Sequence, residues 1–249
     1  GPNGGVSDGE VEDHEIEVTP SGISIVSYPS ANSFVSIAYE DNWPERGDYD
    51  MNDVVMAYRT KQYIDESERT VRYDIEGHVL AVGASYHNGF AVQLDGVETS
   101  NVNEALIRFE INQVEQNNSP LESNSDSDDA VVILTNDLWD HLTSSASCSF
   151  YRTQLGCEEQ QEFSFYASIP LLSSIDKETA PTELLNPFIF ATPGHYHGDS
   201  FSEQPGRALE IHLKNKKVSS RFNHDFFELA QDRSDYANMN TFLNANNMP

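Results

Sequence analysis

The chain has 249 residues, 38% of them hydrophobic, and its 41 acidic against 14 basic side chains give a net charge of −27. That length supplies core for one large β domain or two small ones. So negative a field repels nucleic acid and anionic membrane surfaces, excluding both as partners, and attracts divalent cations.

From the N-terminus, Gly1-Pro2 reads as the scar of a cleaved tag, so the natural start is expected to have been removed. Gly1–Asp13 is Gly-rich and acidic and is expected to be disordered. The rest, 14–249, is expected to form a single β-rich domain, with a possible insertion at 115–180. Glu15–Val18 and Ile23–Tyr28 alternate with period 2 around a Pro20-Ser21-Gly22 turn, and Ser33–Tyr39 forms a further strand.

The next stretch, Glu40–Tyr58, is the most informative. It places Glu40, Asp41, Glu45, Asp48, Asp50 and Asp53 in one short span, with Asn42 and Asn52 among them and only Arg46 in opposition. Crowded carboxylates repel one another unless a cation sits among them. The spacing of Asp48, Asp50 and Asn52 lets alternate side-chain oxygens converge on Ca²⁺. It is not an EF-hand, because Asp53 and Arg59 stand where Gly and a bidentate Glu belong. Two readings stay open. One is a Ca²⁺ site built from Glu40, Asp41, Asp48, Asp50, Asn52 and Asp53. The other is a metal-free loop of Asx-turns in which Gly47 supplies a positive φ. Trp43-Pro44 is either a lid over the core edge or an exposed platform for a ligand.

Beyond it, Asp53–Tyr63 and Thr70–Ser85 read as strands, with Gly77 and Gly83 as kink points in the second. Asn88-Gly89 predicts a tight turn, with His87 as a turn residue, before a strand at Phe90–Leu94. Ala105–Asn112 alternates cleanly, so one face should be wet. Glu115–Asp129 is a polar acidic loop, solvated or, through Asp126, Asp128 and Asp129, a second Ca²⁺ site. Ala130–Thr135 follows as a buried strand, and Asp137–Leu142 as a helical turn. Cys148 and Cys157 bracket a short hairpin and pair as a disulfide in an oxidising compartment, or stay reduced in a cytosolic one. Phe163–Ile169 forms a strand ended by Pro170, and Leu184–Ala191 and Ala208–Leu213 complete the sheets. Phe226–Leu229 and Tyr236–Leu243 are helix-like. Repeated short strands without long helical periodicity predict an all-β fold: an antiparallel β-sandwich, jelly-roll-like, with short helical turns and long acidic loops.

The acidic stretch also carries a family likeness. DNWPERGDYDMNDVVMAYR (41–59) resembles the signature of the LruC-domain family, bacterial envelope and surface proteins. GHVLAVGASYHNGFAVQLDGV (77–97), NPFIF (186–190) and RALEIHLKNKK (207–217) agree with it. The terminal NNMP (246–249) resembles the start of a last family segment, and its breaking off suggests a truncated or processed end. The resemblance spans about residue 28 to 249. It implies a β-rich domain, secreted or at the bacterial outer surface or periplasm, without established catalytic residues.

Among candidates for chemistry, His195 and His197 lie two apart with Asp199 nearby. On a strand they would share a face and hold a transition metal for a metal-dependent hydrolase; on a loop they would sit in water. His212 reads as a half-exposed strand residue rather than a ligand. There is no G-x-S-x-G elbow, phosphate-binding glycine loop or CxxC cluster. The sequence therefore points away from an enzyme and toward a Ca²⁺-stabilised surface domain for adhesion or recognition of a glycan or protein, with Trp43, Tyr49, Tyr86 and Tyr196 as contact aromatics. The remaining option is an architectural domain of a larger surface protein.

Overall fold

Alternating burial along the chain shows where the sheets form. In Val54–Ile64, the residues Val54, Met56, Tyr58, Gln62 and Ile64 are buried while their neighbours Val55, Arg59, Lys61 and Tyr63 are half-exposed, the signature of a strand with one core-facing side. The computed structural model describes residues 16–18, 22–144, 147–157, 162–181, 184–201 and 203–246. The segment expected to be disordered, 1–13, lies outside them.

Twelve strands are found among the described residues. The first five are β1 (Ile16–Val18), β2 (Ser24–Tyr28), β3 (Val35–Tyr39), β4 (Val54–Ile64) and β5 (Arg69–Ala81). Then come β6 (Asn88–Glu98), β7 (Arg108–Ile111), β8 (Val114–Glu115) and β9 (Asp129–Thr135). The last are β10 (Ser164–Asp176), β11 (Asn186–Ala191) and β12 (Glu210–His212). Every pairing is antiparallel. One sheet has eight strands in the order β1-β2-β4-β5-β10-β7-β8, with β3 also on β4; the other runs β12-β11-β6-β9. β3 and β2 share one edge of β4, pairing its first and second halves. This is the antiparallel sandwich expected, without a closed barrel. Residues 115–180, read as a possible insertion, supply β9 to the small sheet and β10 to the large one.

The core lies between the sheets. Met56, Tyr58, Ile75 and Phe165 of the large sheet meet Phe90, Val92, Val132 and Ile189 of the small one in one buried cluster. The small sheet is also covered on its other face, where Ala91, Val131, Phe188 and Phe190 form a second cluster. That double burial explains why β11 is buried at every position. The outer cover is polar. Arg207 lies over the rings of Phe188 and Phe190, 5.1 and 5.0 Å from their centroids. It forks onto Glu122 at 2.9 and 3.0 Å and pairs with the fully buried Glu210. Glu210 also meets His212 at 2.8 Å, and His212 reaches Asn186 at 2.8 Å. His212 is thus part of a buried network rather than a half-exposed strand residue.

Several local expectations are corrected. Gly77 is no kink: the register runs through it on both sides, opposite Tyr58 and Phe165. Its missing side chain makes room for the Phe165 ring and the Ala57 carbonyl, which a Cβ would approach to 2.6 and 2.3 Å. Asn88-Gly89 is not a turn but the start of β6, where Gly89 admits the ring of Phe190. β10 continues past Pro170 across a register shift, so the missing N–H falls at an irregularity. Residues 104–106 form a 3₁₀ turn, leaving only Arg108–Ile111 as strand. The helix-like stretches near the C-terminus reduce to 3₁₀ turns at His224–Phe226 and Tyr236–Asn238. The Cys148–Cys157 disulfide is formed, with a Cα–Cα distance of 6.0 Å.

Candidate functional site: the acidic loop and the pocket behind it

β3 delivers the chain to the acidic loop and β4 takes it away. Because β3 and β4 are paired from Tyr39 against Val54, the loop's two ends are fixed side by side. Within it the six expected ligands divide into two groups. Glu40, Asp48 and Asp50 converge, each offering a carboxylate oxygen within 4.8 Å of the others. Asp41 and Asp53 form a deeper pair. Asn52 turns its amide, not its oxygen, to the outer group: the amide donates to Asp50 and the oxygen faces Gly83.

Glu40 organises the outer group. Its carboxylate accepts the backbone N–H of Met51 at 2.6 Å and of Tyr49 at 3.1 Å. Both residues are left-handed, at φ 54° and 62°, a strained conformation for non-glycine residues that aims their amides inward. Gly47 is not the left-handed residue expected. It is where a Cβ would strike the Glu40 carboxylate at 2.2 Å, so its role is space.

In the inner pair, Asp53 accepts the backbone N–H of Asp41 at 2.8 Å, and Asp41 accepts the side-chain amide of Asn88 at 2.7 Å. Burial, then the Asp53 charge, pushes the Asp41 carboxyl well above the usual carboxylate range. Burial also raises Asp53, against the opposing effect of the Asp41 amide. Glu40 is raised too, first by burial and, after the compensating Met51 amide, by the charge of Asp53. Three carboxyls therefore resist ionisation here, and a bound cation would relieve all of them.

Two of the cavities beside this loop share its Glu40. The first is an acidic cleft of about 230 Å³ lined by Glu40, Asp41, Asp48 and Asp53 and closed by Tyr86 and Phe150. The second is an apolar pocket of about 240 Å³ walled by Tyr39, Trp43, Tyr49, Met51, Ile211 and Phe242. Glu40 and Gly47 line both. One backbone segment is thus the partition between a carboxylate cleft and an aromatic pocket.

The expected contact aromatics separate accordingly. Trp43 is the lid over the core edge and not a platform: it is 8% exposed, packs on Phe242 at 5.1 Å and donates to Asp232 at 3.1 Å. Tyr49 walls the pocket, its hydroxyl donating to Gln231 and accepting from Asn244. Tyr86 stacks on His197 at 4.6 Å beside the acidic cleft, and the exposed Tyr196 leans on Tyr86 at 6.0 Å.

The structure parts His195, His197 and Asp199. His197 is buried, with Nε2 on the Asp41 carbonyl at 3.0 Å, and burial lowers its pKa to about 4. Asp199 accepts the Tyr196 hydroxyl at 2.6 Å. His195 turns instead to His87, stacking at 3.9 Å. The i, i+2 argument does not apply because both histidines lie on the loop after β11 and not on a strand, with His195 N–H turned back to the Thr192 carbonyl at 3.2 Å. In the 126–129 loop, Asp129 accepts Lys217 at 2.6 Å, and the Asp126 and Asp128 carbonyls accept Ser100 and Thr99 N–H. Among the described residues these three carboxylates do not converge.

The model of a family described as a domain of unknown function, DUF4842, matches residues 68–249. The chain belongs to the DUF4842 family. The match begins after β4, so the acidic loop precedes the part of the chain that defines DUF4842, and the LruC resemblance rests on its own motifs. No curated protein matches the chain. Among solved structures, a candidate lipoprotein from Bacteroides ovatus is similar at 17% identity and a TM-score of 0.52. That likeness covers 80% of this chain but 57% of the other, and it shows a shared fold. No helix of the described residues is long and apolar enough to cross a membrane.

Proposed function

We propose that this DUF4842 chain is a non-catalytic recognition domain of a bacterial surface protein, whose acidic loop is held by Ca²⁺ and shapes the aromatic pocket behind it. The observation that carries this reading is the shared partition: Glu40 lines both cavities, so whatever neutralises the cleft also sets the pocket wall. The donor set fits the ion. Ca²⁺ takes six to eight oxygens at 2.3–2.6 Å, so opposed ligands stand ~5 Å apart, the span over which Glu40, Asp48 and Asp50 converge. Glu40 keeps acceptor capacity beyond its two amide bonds, since each carboxylate oxygen has two lone pairs.

The pocket suits a glycan or protein ligand. Aromatic walls offer stacking area, and Glu45, Gln231 and Lys214 on its lining offer hydrogen bonds. The lipoprotein-type relative and the LruC resemblance both favour a cell-surface or periplasmic setting. A glycan array and a displayed-peptide library, each read in Ca²⁺ and in EDTA, test the proposal. The expected outcome is a ligand retained in Ca²⁺, released by EDTA and lost in Tyr49→Ala. Ligand capture that ignores both EDTA and Tyr49→Ala would refute it.

A further inference from the structure

The geometry points to a second cation site, of transition-metal character, built from His87, Asp137 and His195 at one end of the small sheet. It goes beyond the Ca²⁺ reading and does not depend on it. The three residues come from three adjacent strands. His87 directly precedes β6, Asp137 lies two residues past the end of β9, and His195 lies on the loop leaving β11. β6 pairs with both neighbours, placing Phe90 opposite Thr135 and Asn88 opposite Ala191. Antiparallel pairing therefore gathers all three side chains at the same sheet end. A further bond ties that end together, from Thr192 N–H to the His87 carbonyl at 3.0 Å.

The donor atoms lie within 4.8 Å of one another. Asp137 is buried and pre-aimed: one carboxylate oxygen accepts the Trp139 amide at 2.9 Å, and the other meets His87 Nδ1 at 2.5 Å. The His87 and His195 rings stack at 3.9 Å with 26° between their planes. A tetrahedral ion with bonds of about 2.0–2.2 Å would draw such donors to ~3.5 Å apart. His195 can supply that closure, being exposed on a loop flanked by Gly194 and Gly198. Two imidazoles with one carboxylate select Zn²⁺, Cu²⁺ or Ni²⁺ over Ca²⁺, which prefers an all-oxygen shell. Exposure of His195 leaves a coordination position open to solvent. In the sequence the three are scattered over 109 positions, and the readable signal was only that each stands just beyond an apolar strand run.

The test uses the full chain with Ca²⁺ present in excess, so that the acidic loop is occupied. Zn²⁺ is titrated calorimetrically, and Cu²⁺ is added separately for electron paramagnetic resonance. The expected result is one Zn²⁺ per chain not displaced by Ca²⁺, and a Cu²⁺ spectrum with coupling to two nitrogens. His195→Ala and His87→Gln should each weaken Zn²⁺ by at least about tenfold, while Asp48→Asn leaves it unchanged. His195 is exposed, so its variant tests binding without risking the fold. Zn²⁺ binding that survives both histidine variants, or no zinc retained at all, would overturn the site and leave His87–Asp137 as a plain hydrogen bond.

Discussion

His197 Nε2 donates to the carbonyl oxygen of Asp41 at 3.0 Å, joining the loop after β11 to the start of the acidic loop. A carbonyl only accepts, so the proton is fixed on Nε2, and the buried Nδ1 is an acceptor without a partner among the described residues. The ring is sandwiched against Tyr86. It is therefore a neutral pin between the two loops.

This pin makes a pH prediction. Burial lowers the His197 pKa from 6.5 to about 4. Stability from a histidine buried neutral is present above its unfolded pKa and lost as pH falls toward the folded one. The advantage of wild type over His197→Phe should therefore shrink by about 3 kcal/mol between pH 7 and pH 4. Denaturant titrations of both proteins across that range measure it. A pH-independent difference would mean the imidazole is already solvated.

How much of this was legible beforehand depends on the distance over which a residue acts. The sandwich was readable because alternation in Val54–Ile64 and the apolar run from Pro187 to Ala191 report their own burial. The acidic loop was readable because its charge is local. Gly89 was misread because a glycine that opens space for Phe190, 101 positions away, looks the same as one that turns the chain. Trp43 was ambiguous for the same reason: Asp232 and Phe242, which claim it, lie near the other end of the sequence. His195 reads with His197 and Asp199 because those chain neighbours are visible in the sequence, while His87, on which it stacks, is 108 positions away.

Gly77 tests the packing of β5. Alanine there would press on the Ala57 carbonyl and the Phe165 ring, and backbone cannot give way as a flexible side chain does. Gly77→Ala should cost about 3 kcal/mol or prevent folding, seen as a lowered denaturant midpoint. A change below about 1 kcal/mol would show that the β4–β5–β10 register is looser than described.

Arg207 tests the outer cover of the small sheet. Burial raises the Glu210 carboxyl, but bonds from His212, the Arg207 charge and Ser219 together hold it at about 2. Such a group contributes stability above its unfolded pKa that is lost as pH falls toward 2. Arg207→Met removes the guanidinium from that buried carboxylate, leaving it only His212 and Ser219, so it should cost about 3 kcal/mol at pH 7 and less at pH 3. Urea unfolding at the two pH values decides it; an equal cost at both would remove Glu210 from the explanation.

The proposed role of Ca²⁺ is to keep the carboxylates of the loop between β3 and β4 together. Without the ion, the raised pKa values of Glu40, Asp41 and Asp53 mean that stability falls as pH rises through the folded values, because the folded state must then give up protons it holds. The direct measurement is thermal unfolding at pH 7.5 in EDTA and across a Ca²⁺ titration. Tm should rise with Ca²⁺, the gain reaching about 2.7 kcal/mol at 100-fold over Kd, and Asp48→Asn with Asp50→Asn should abolish the rise. A Tm indifferent to Ca²⁺, or a rise that persists in the double variant, would contradict the account.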